Sequence, residues 1–276
     1  MNSDFFIYNN FSRFIEINGE DRDEFLQSLI TNDIFKCIKD SPIYSCLLSP
    51  QGKFLADFFV INQSNNYLIE IHEKFYESFY SKLQVYKLRS KVNFTKKENI
   101  ISIILFSNKK YSIKNTIVSF KDPRNPNIGK KILISDKEIN IKNINEKSFD
   151  KYKEILMKNL VPFTPIDLQE NKSLLMENNL QNLQAIDWEK GCYVGQEITA
   201  RMKYRALLKK KIYLLEVISG KIEIGDEITI NKMLIGKVVS KINKYILCML
   251  KIELVENKNK NKEKIEINNS IILKFL

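Results

Sequence analysis

The stretch of this chain with the most chemistry in it reads Lys190-Gly191-Cys192-Tyr193-Val194-Gly195-Gln196-Glu197, followed by Ile198-Thr199-Ala200-Arg201. Two glycines bracket a Cys-Tyr-Val segment and permit a tight backbone turn. Residues 196–205 can form a helix, so the Cys192 thiol stands in a loop just ahead of a helix N-terminus. Backbone N–H groups and the positive end of the helix dipole act there. Lys190 lies two residues away and Arg201 approaches from the helix. All of these favour a thiolate. Cys192 is therefore the candidate reactive thiol and Lys190 the candidate group that tunes it. The competing reading is a small packed cysteine beside a glycine turn.

Little else in the chain offers catalytic equipment. His72 is the single histidine, at the end of a predicted strand, and a boundary residue is the expectation. Ser-His-Asp chemistry or a multi-His metal site would have to use it. Cys37, Cys46, Cys192 and Cys248 contain no CxxC spacing, which argues against a zinc ribbon or a conventional cluster-binding loop. No metal site is expected. Four scattered cysteines in 276 residues also argue against a disulfide framework and for a reducing compartment. No apolar run approaches the roughly 20 residues of a membrane span, and the N-terminus, with Asp4, lacks a signal pattern. A soluble, cytoplasmic chain with no membrane partner is expected.

The net charge is +11, from 44 Lys+Arg and 33 Asp+Glu. Residues 201–276 hold 17 basic and 8 acidic side chains, whereas the first 200 hold 27 and 25. The excess is thus C-terminal and begins within residues 201–211. Only six of the bases are arginine, and a compositional drift toward Lys, Asn and Ile explains part of the charge.

The elements that must position the thiol are mixed. Residues 14–18, 43–48, 54–61, 67–71, 92–94 and 100–106 read as strands, and 20–30, 73–86 and 150–158 as helices. Pro50-Gln51-Gly52-Lys53 supplies turn chemistry between two strands. After residue 210 the pattern is β, punctuated by Gly220, Gly225 and Gly236, with 257–264 as a solvated loop. The absence of regular βα alternation argues for α+β. Two domains are expected, 1–206 and a small β-barrel-like domain over 207–276.

Lys190–Glu197 resembles the K-G-C-Y-x-G-Q-E signature of the YgfZ family of folate-binding proteins. These are relatives of the glycine-cleavage aminomethyltransferase (T-protein), and they include the mitochondrial assembly factor for four-iron clusters. The resemblance extends to Leu174–Leu180, to Phe25-Leu26-Gln27 with Thr31-Asn32-Asp33, and to Pro50-Gln51-Gly52-Lys53 with Asp57. It continues through residues 86–92 and Asp122-Pro123-Arg124. Gln184-Ala185, Asn159-Leu160-Val161-Pro162 and Arg205-Ala206 depart from the family pattern, which leaves local loop geometry open.

The resemblance implies an α+β, T-protein-like multi-lobed fold around a central cavity that binds tetrahydrofolate. Glu177 is then the candidate for the pterin edge, with Asn179 beside it. Tyr193 and Trp188 are candidate walls, though core packing competes for Trp188. Gln196 and Glu197 would orient the loop, or simply form the first helical turn. Arg201, Lys203 and Arg205 suit the acidic glutamate tail. Where the aminomethyltransferase carries two acids on a strand, this chain has Ala56-Asp57. The reading is a non-enzymatic, folate-binding factor in assembly or repair of iron–sulfur proteins, with transient iron–sulfur species at Cys192. Its expected partners are the iron–sulfur assembly machinery or client proteins, and any effect on tRNA modification would be indirect. The alternatives are a tetrahydrofolate-dependent aminomethyltransferase and an RNA-binding factor in tRNA modification. Nucleic acid is the less favoured partner.

Overall fold

The computed structural model describes residues 4–135, 144–205, 208–230, 232–267 and 270–276. The chain begins β1 (Phe5–Tyr8), β2 (Ser12–Asn18), α1 (Arg22–Leu29), β3 (Ile43–Leu48), β4 (Phe54–Asn62), β5 (Tyr67–His72), α2 (Glu73–Lys87) and β6 (Asn93–Lys97). Five of these strands make an antiparallel sheet in the order β3-β4-β5-β2-β6. Side chains alternate across a strand, and that alternation assigns its two faces. Phe54 and Phe58 meet Phe75 and Phe79 of α2 edge-on or tilted. Phe75, Phe79 and Leu83, spaced four apart, are the buried stripe of that helix. Directly opposed residues of β3 and β4 share the other face. These are Tyr44 with Phe59 and Cys46 with Asp57.

That face looks toward a second sheet built from β1 with β7 (Ile101–Phe106), β8 (Thr116–Lys121), β9 (Lys130–Ile134) and β10 (Asn145–Glu146). Its order is β10-β1-β7-β9-β8, with the β1–β10 pair parallel and the β1–β7, β7–β9 and β8–β9 pairs antiparallel. Helix α3 (Phe149–Lys158) follows. Phe59 and Phe120 join the two sheets, and one continuous core runs through both.

After α4 (Gln196–Tyr204) comes a third sheet: β11 (Lys210–Ser219), β12 (Glu227–Ile230), β13 (Met233–Ile242), β14 (Tyr245–Lys251), β15 (Lys264–Ile267) and β16 (Ile271–Phe275). Its order is β12-β13-β14-β11-β16-β15. The edge strands β12 and β15 lie against each other, so the sheet is a nearly closed antiparallel barrel. Register breaks at 217/219, 228/229 and 238/240 supply the bends that curl it. Leu215, Ile228, Cys248, Leu273 and Phe275 fill its interior.

The α+β class, the three-lobed T-protein-like layout and the barrel-like C-terminal sheet all follow the sequence reading. The 257–264 loop does not. Its first half, residues 257–260, belongs to α5 (Ile252–Lys260), and Lys264 opens β15. Asparagines of low helix propensity mask this helix; Val255 at 0% exposure pins it to the barrel. The expected domain boundary at 206/207 lies outside the described residues. Among those that are described, Met157 of α3 packs with Leu214 and Leu247 of the barrel.

His72 is more than a boundary residue. It is the N-cap of α2, and its Nδ1 accepts a hydrogen bond from the Lys74 N–H at 3.1 Å. Its ring stacks on Phe11. Burial pushes its pKa below the ordinary value, against the pull of Asp57 and Glu73. A protonated imidazole has no lone pair to accept the cap bond. In the window below about 6.5 the unfolded chain binds the proton first, so stability falls as pH falls. Denaturant unfolding between pH 7.5 and pH 5 should show this loss. His72→Asn, which keeps an acceptor that does not titrate, should flatten that part of the profile.

Candidate functional site

The signature loop is held by groups drawn from early in the chain. The Lys190 ammonium donates to three backbone carbonyls, those of Gln27 (2.8 Å), Ile30 (2.7 Å) and Asn32 (2.8 Å). They belong to the end of α1 and the turn after it, where a helix leaves carbonyls unpaired and its dipole favours a cation. The ammonium also sits 5.1 Å from the Tyr193 ring centroid. Burial pushes the Lys190 pKa down to about 8, opposed by the Asp33 and Asp187 carboxylates. All three ammonium hydrogens are used, so Lys190 anchors the loop. The expected tuning of the thiol by Lys190 gives way to that role.

Thr31 and Asn32 are the next tie. Thr31 Oγ1 donates to the Ala185 carbonyl at 2.6 Å, and Asn32 Nδ2 donates to the Gln184 and Tyr44 carbonyls. The backbone N–H of Asp187 donates to the Thr31 carbonyl, and that of Val194 to the Ser28 carbonyl. Asp187 accepts from the N–H groups of Glu189 and Lys190 and pairs with Lys36. Gln184 and Leu160, at two of the sites that depart from the family pattern, have φ of 56° and 51°. Glycine adopts that region freely, so the departures keep the backbone shape with a costlier residue.

Gly195 caps α4 at φ 79°. A Cβ there would stand 2.3 Å from the Ser49 carbonyl oxygen and 3.2 Å from the Gly52 Cα. Gly52, at φ 69°, would in turn drive a Cβ to 2.9 Å from the Gly195 carbonyl oxygen. The Pro50–Lys53 turn and the signature loop thus meet glycine against glycine. Gly191 is different, since a Cβ there meets nothing within 4 Å. Beside it, Cys192 is exposed, while Cys37, Cys46 and Cys248 are buried. Burial pushes the Cys37 thiol up to about 12, and the other two buried thiols rise as well.

Among the described residues, the expected folate-binding side chains make separate contacts. Tyr193 is buried, with its N–H donating to Gln196 Oε1 at 3.2 Å. Gln196 thus closes the loop on itself. Glu197 pairs with Arg201 one turn on in an exposed helical pair. Asn179, at φ 66°, donates its Nδ2 hydrogen to the Leu160 carbonyl, and Glu177 lies 3.6 Å from Lys210. Lys203 covers the Trp188 ring at 3.9 Å. Of the first C-terminal bases, Arg201, Lys210 and Lys211 all have carboxylate partners.

A different group lines the central cavity of about 70 Å³ between the first two sheets and α3. Phe11, Phe59, Phe149 and Phe163 wall it, and Asp57, Glu70, His72, Arg124, Lys131 and Tyr152 supply the polar surface. The charges are paired in the interior. Arg124 forks onto Asp122 at 3.0 and 2.7 Å and reaches the Tyr152 hydroxyl. Lys131 meets Glu70 at 2.8 Å and lies 4.0 Å from the Phe59 ring centroid. Tyr44 donates to Asp57 Oδ2 at 2.7 Å, which leaves Asp57 Oδ1 buried with no hydrogen-bond partner among the described residues. The Asp57 and Asp122-Pro123-Arg124 signals in the sequence mark this cavity, but only once strand alternation gives their direction.

The anchoring network predicts a separation of effects. Lys190→Met strands three carbonyls and should cost on the order of 3 kcal/mol in denaturant unfolding. Gly195→Ala combines a clash with positive φ and should cost about 2 kcal/mol or more. Cys192→Ser, at an exposed position, should stay within about 0.5 kcal/mol of wild type.

No protein-family model matches the chain. It is 30% identical over 216 residues to the mitochondrial iron–sulfur cluster assembly factor IBA57 homolog of Mycosarcoma maydis, covering 72% of this chain and 53% of that protein. It is 27% identical over 220 residues to an uncharacterized protein of Haemophilus influenzae, covering 78% and 74%. The chain spans about half the length of the fungal relatives it matches. In structure it superposes on the glycine cleavage system aminomethyltransferase T of Bartonella henselae with TM-score 0.76, over 99% of this chain and 85% of that one. Sequence identity there is 10%, so this likeness speaks to the fold. The chain is a homologue of the IBA57 iron–sulfur cluster assembly factors, on an aminomethyltransferase T-protein fold.

Proposed function

We propose that the chain is an iron–sulfur cluster assembly factor in which Cys192 is the working thiol. The observation that carries this is the contrast between Cys192 and its surroundings. The thiol is exposed on a loop whose flanks are tied down by Lys190, Thr31, Asn32 and Gly195, while the other three thiols are sealed in cores. A thiol that binds iron must shed its proton to solvent or a base and keep a fixed direction. A preorganised loop provides the direction. Among the described residues no three His, Cys, Asp or Glu side chains gather in one place. A four-iron cluster takes about four ligands, so the rest come from a partner protein or a second copy.

The central cavity supports a folate role in one respect and limits it in another. An orphaned carboxylate oxygen on Asp57, facing aromatic walls, suits the N–H edge of a pterin. The cavity of about 70 Å³ is well below the roughly 300–1,000 Å³ of ordinary ligand sites, so the side chains must part to admit even the ring. In this reading Asp57 takes the place first given to Glu177, which is already committed to Lys210. Asp57 also keeps the aminomethyltransferase alternative in play, against Ala56. The RNA-binding alternative loses ground because Arg201, Lys210 and Lys211 are paired within the fold.

The test has two arms. In cells lacking the endogenous factor, Cys192→Ser should fail to restore the activity of four-iron enzymes while accumulating as folded protein. Full restoration by that variant would overturn the thiol's role. In anaerobic titration with tetrahydrofolate, Asp57→Asn should weaken binding about tenfold, the value of one charged hydrogen bond, and Glu177→Ala should not. Wild-type protein that takes up no tetrahydrofolate removes the folate part and leaves the thiol part standing.

A further inference from the structure

Three cavities meet at one side chain. Phe163 lines the central cavity of about 70 Å³, an outer cleft of about 500 Å³ beside the start of α2, and another of about 530 Å³ between α3 and the barrel. The wall between the central cavity and the first of these clefts is made of rings. Phe11 stacks on His72 at 5.5 Å between centroids, and His72 meets Phe163 edge-on at 5.8 Å. Phe163 meets Phe149 at 5.6 Å, and Phe149 returns to Phe11 at 4.8 Å. The circuit is closed. All four rings line the central cavity, and Phe11, His72 and Phe163 line the outer cleft as well. Each of the four is half-buried, as a partition between interior and solvent must be.

The rings are not held alike. His72 is fixed by the bond between its Nδ1 and the Lys74 N–H. Phe149 opens α3 and also packs on Tyr152. Phe163 has a fixed backbone, since its N–H donates to Asp167 Oδ2 and its carbonyl accepts from the N–H groups of Ile166 and Asp167. Its ring is held only by His72, Phe149 and the Lys153 ammonium at 5.7 Å, and it has an open cleft on two sides to turn into. The cavity has one more border with a cleft, at Asn9 and Ser12. There Asn9 Nδ2 donates to Ser12 Oγ at 2.8 Å, and Ser12 Oγ donates to Glu70 Oε1 at 2.6 Å. Opening that side breaks a charge-assisted hydrogen bond in the interior. Turning one ring out of a circuit gives up only ring contacts, so the ring side opens first.

We propose that Phe163 is the gate of the central cavity, turning out of the four-ring circuit so that a ligand passes from the outer cleft to Asp57. With the ring turned, the cavity and the outer cleft become one space within the size range of ligand sites. The gate serves the cavity assigned above to a planar ligand and rests on that reading.

A thiol placed inside the cavity reads the gate without tetrahydrofolate, so the gate and the folate role can fail separately. Leu156 lines the cavity at 2% exposure. Leu156→Cys in a Cys192→Ser background is labelled with methyl methanethiosulfonate, and rates are read site by site by mass spectrometry. The sealed thiols of Cys37, Cys46 and Cys248 report global opening. The introduced thiol should react faster than these three. Phe163→Ala should speed it about tenfold, the worth of the ring contacts removed, and Phe163→Trp should slow it, with Cys248 unchanged in both. Ser12→Ala should leave the rate as it was. Labelling of the introduced thiol only in step with Cys248, an unchanged rate in Phe163→Ala, faster labelling in Phe163→Trp, or equal acceleration by Ser12→Ala would each overturn the proposal. Should Phe163→Ala or Leu156→Cys fail to fold, Phe163→Leu and Ile71→Cys, on the strand wall of the same cavity, decide it by the same outcomes.

Discussion

One buried cation holds the arrangement together. The Lys190 ammonium closes the end of α1 by taking three carbonyls that the helix and its exit turn leave unpaired. In doing so it fixes the loop that carries Cys192. Removing an ammonium from water is expensive unless all its donors are satisfied, and here they are. The same contact satisfies a helix terminus, positions a thiol and joins residues separated by more than 150 positions in the chain. Thr31, Asn32 and Asp187 only add to a geometry that this cation defines.

The central cavity follows the opposite logic. Its charges are not spent on anchoring another segment but are paired among themselves, Arg124 with Asp122 and Lys131 with Glu70. Such pairs gain little net stability over apolar packing, yet each fixes the direction of its members. Asp57 stands out because Tyr44 occupies one carboxylate oxygen and nothing among the described residues takes the other. The two centres therefore differ in kind. One presents a soft nucleophile to solvent, and the other keeps a hard acceptor dry.

Much of this was legible in the residues. Strand alternation and fourfold spacing located β3, β4, β5 and α2 to within a residue or two, because those elements are strongly apolar on one face. The Lys190–Glu197 motif was recognisable, and so was the Pro50–Lys53 turn, each by family pattern, but their contact through Gly195 and Gly52 was not. Direction was not legible. Lys190 looked like a neighbour of the thiol because they are two apart, but its long side chain turns inward to α1. Glu177 and Arg201 looked available because sequence does not display Lys210 and Glu197 as their partners. Helix α5 hid behind asparagines, and β1, β8 and β9 behind short or lysine-interrupted runs whose burial only tertiary pairing reveals.

Gly191 has a different meaning from Gly195, although both belong to one motif. Gly195 is demanded by the fold, since any side chain there collides with the Ser49 carbonyl. Gly191 is under no such demand, because space around it is open. What its missing side chain provides is clearance. Bare backbone there leaves the flank of the exposed Cys192 sulfur open. The loop thus has an open flank on one side and a close-packed joint on the other, so a side chain added at 191 changes access to the sulfur, whereas one added at 195 changes the fold.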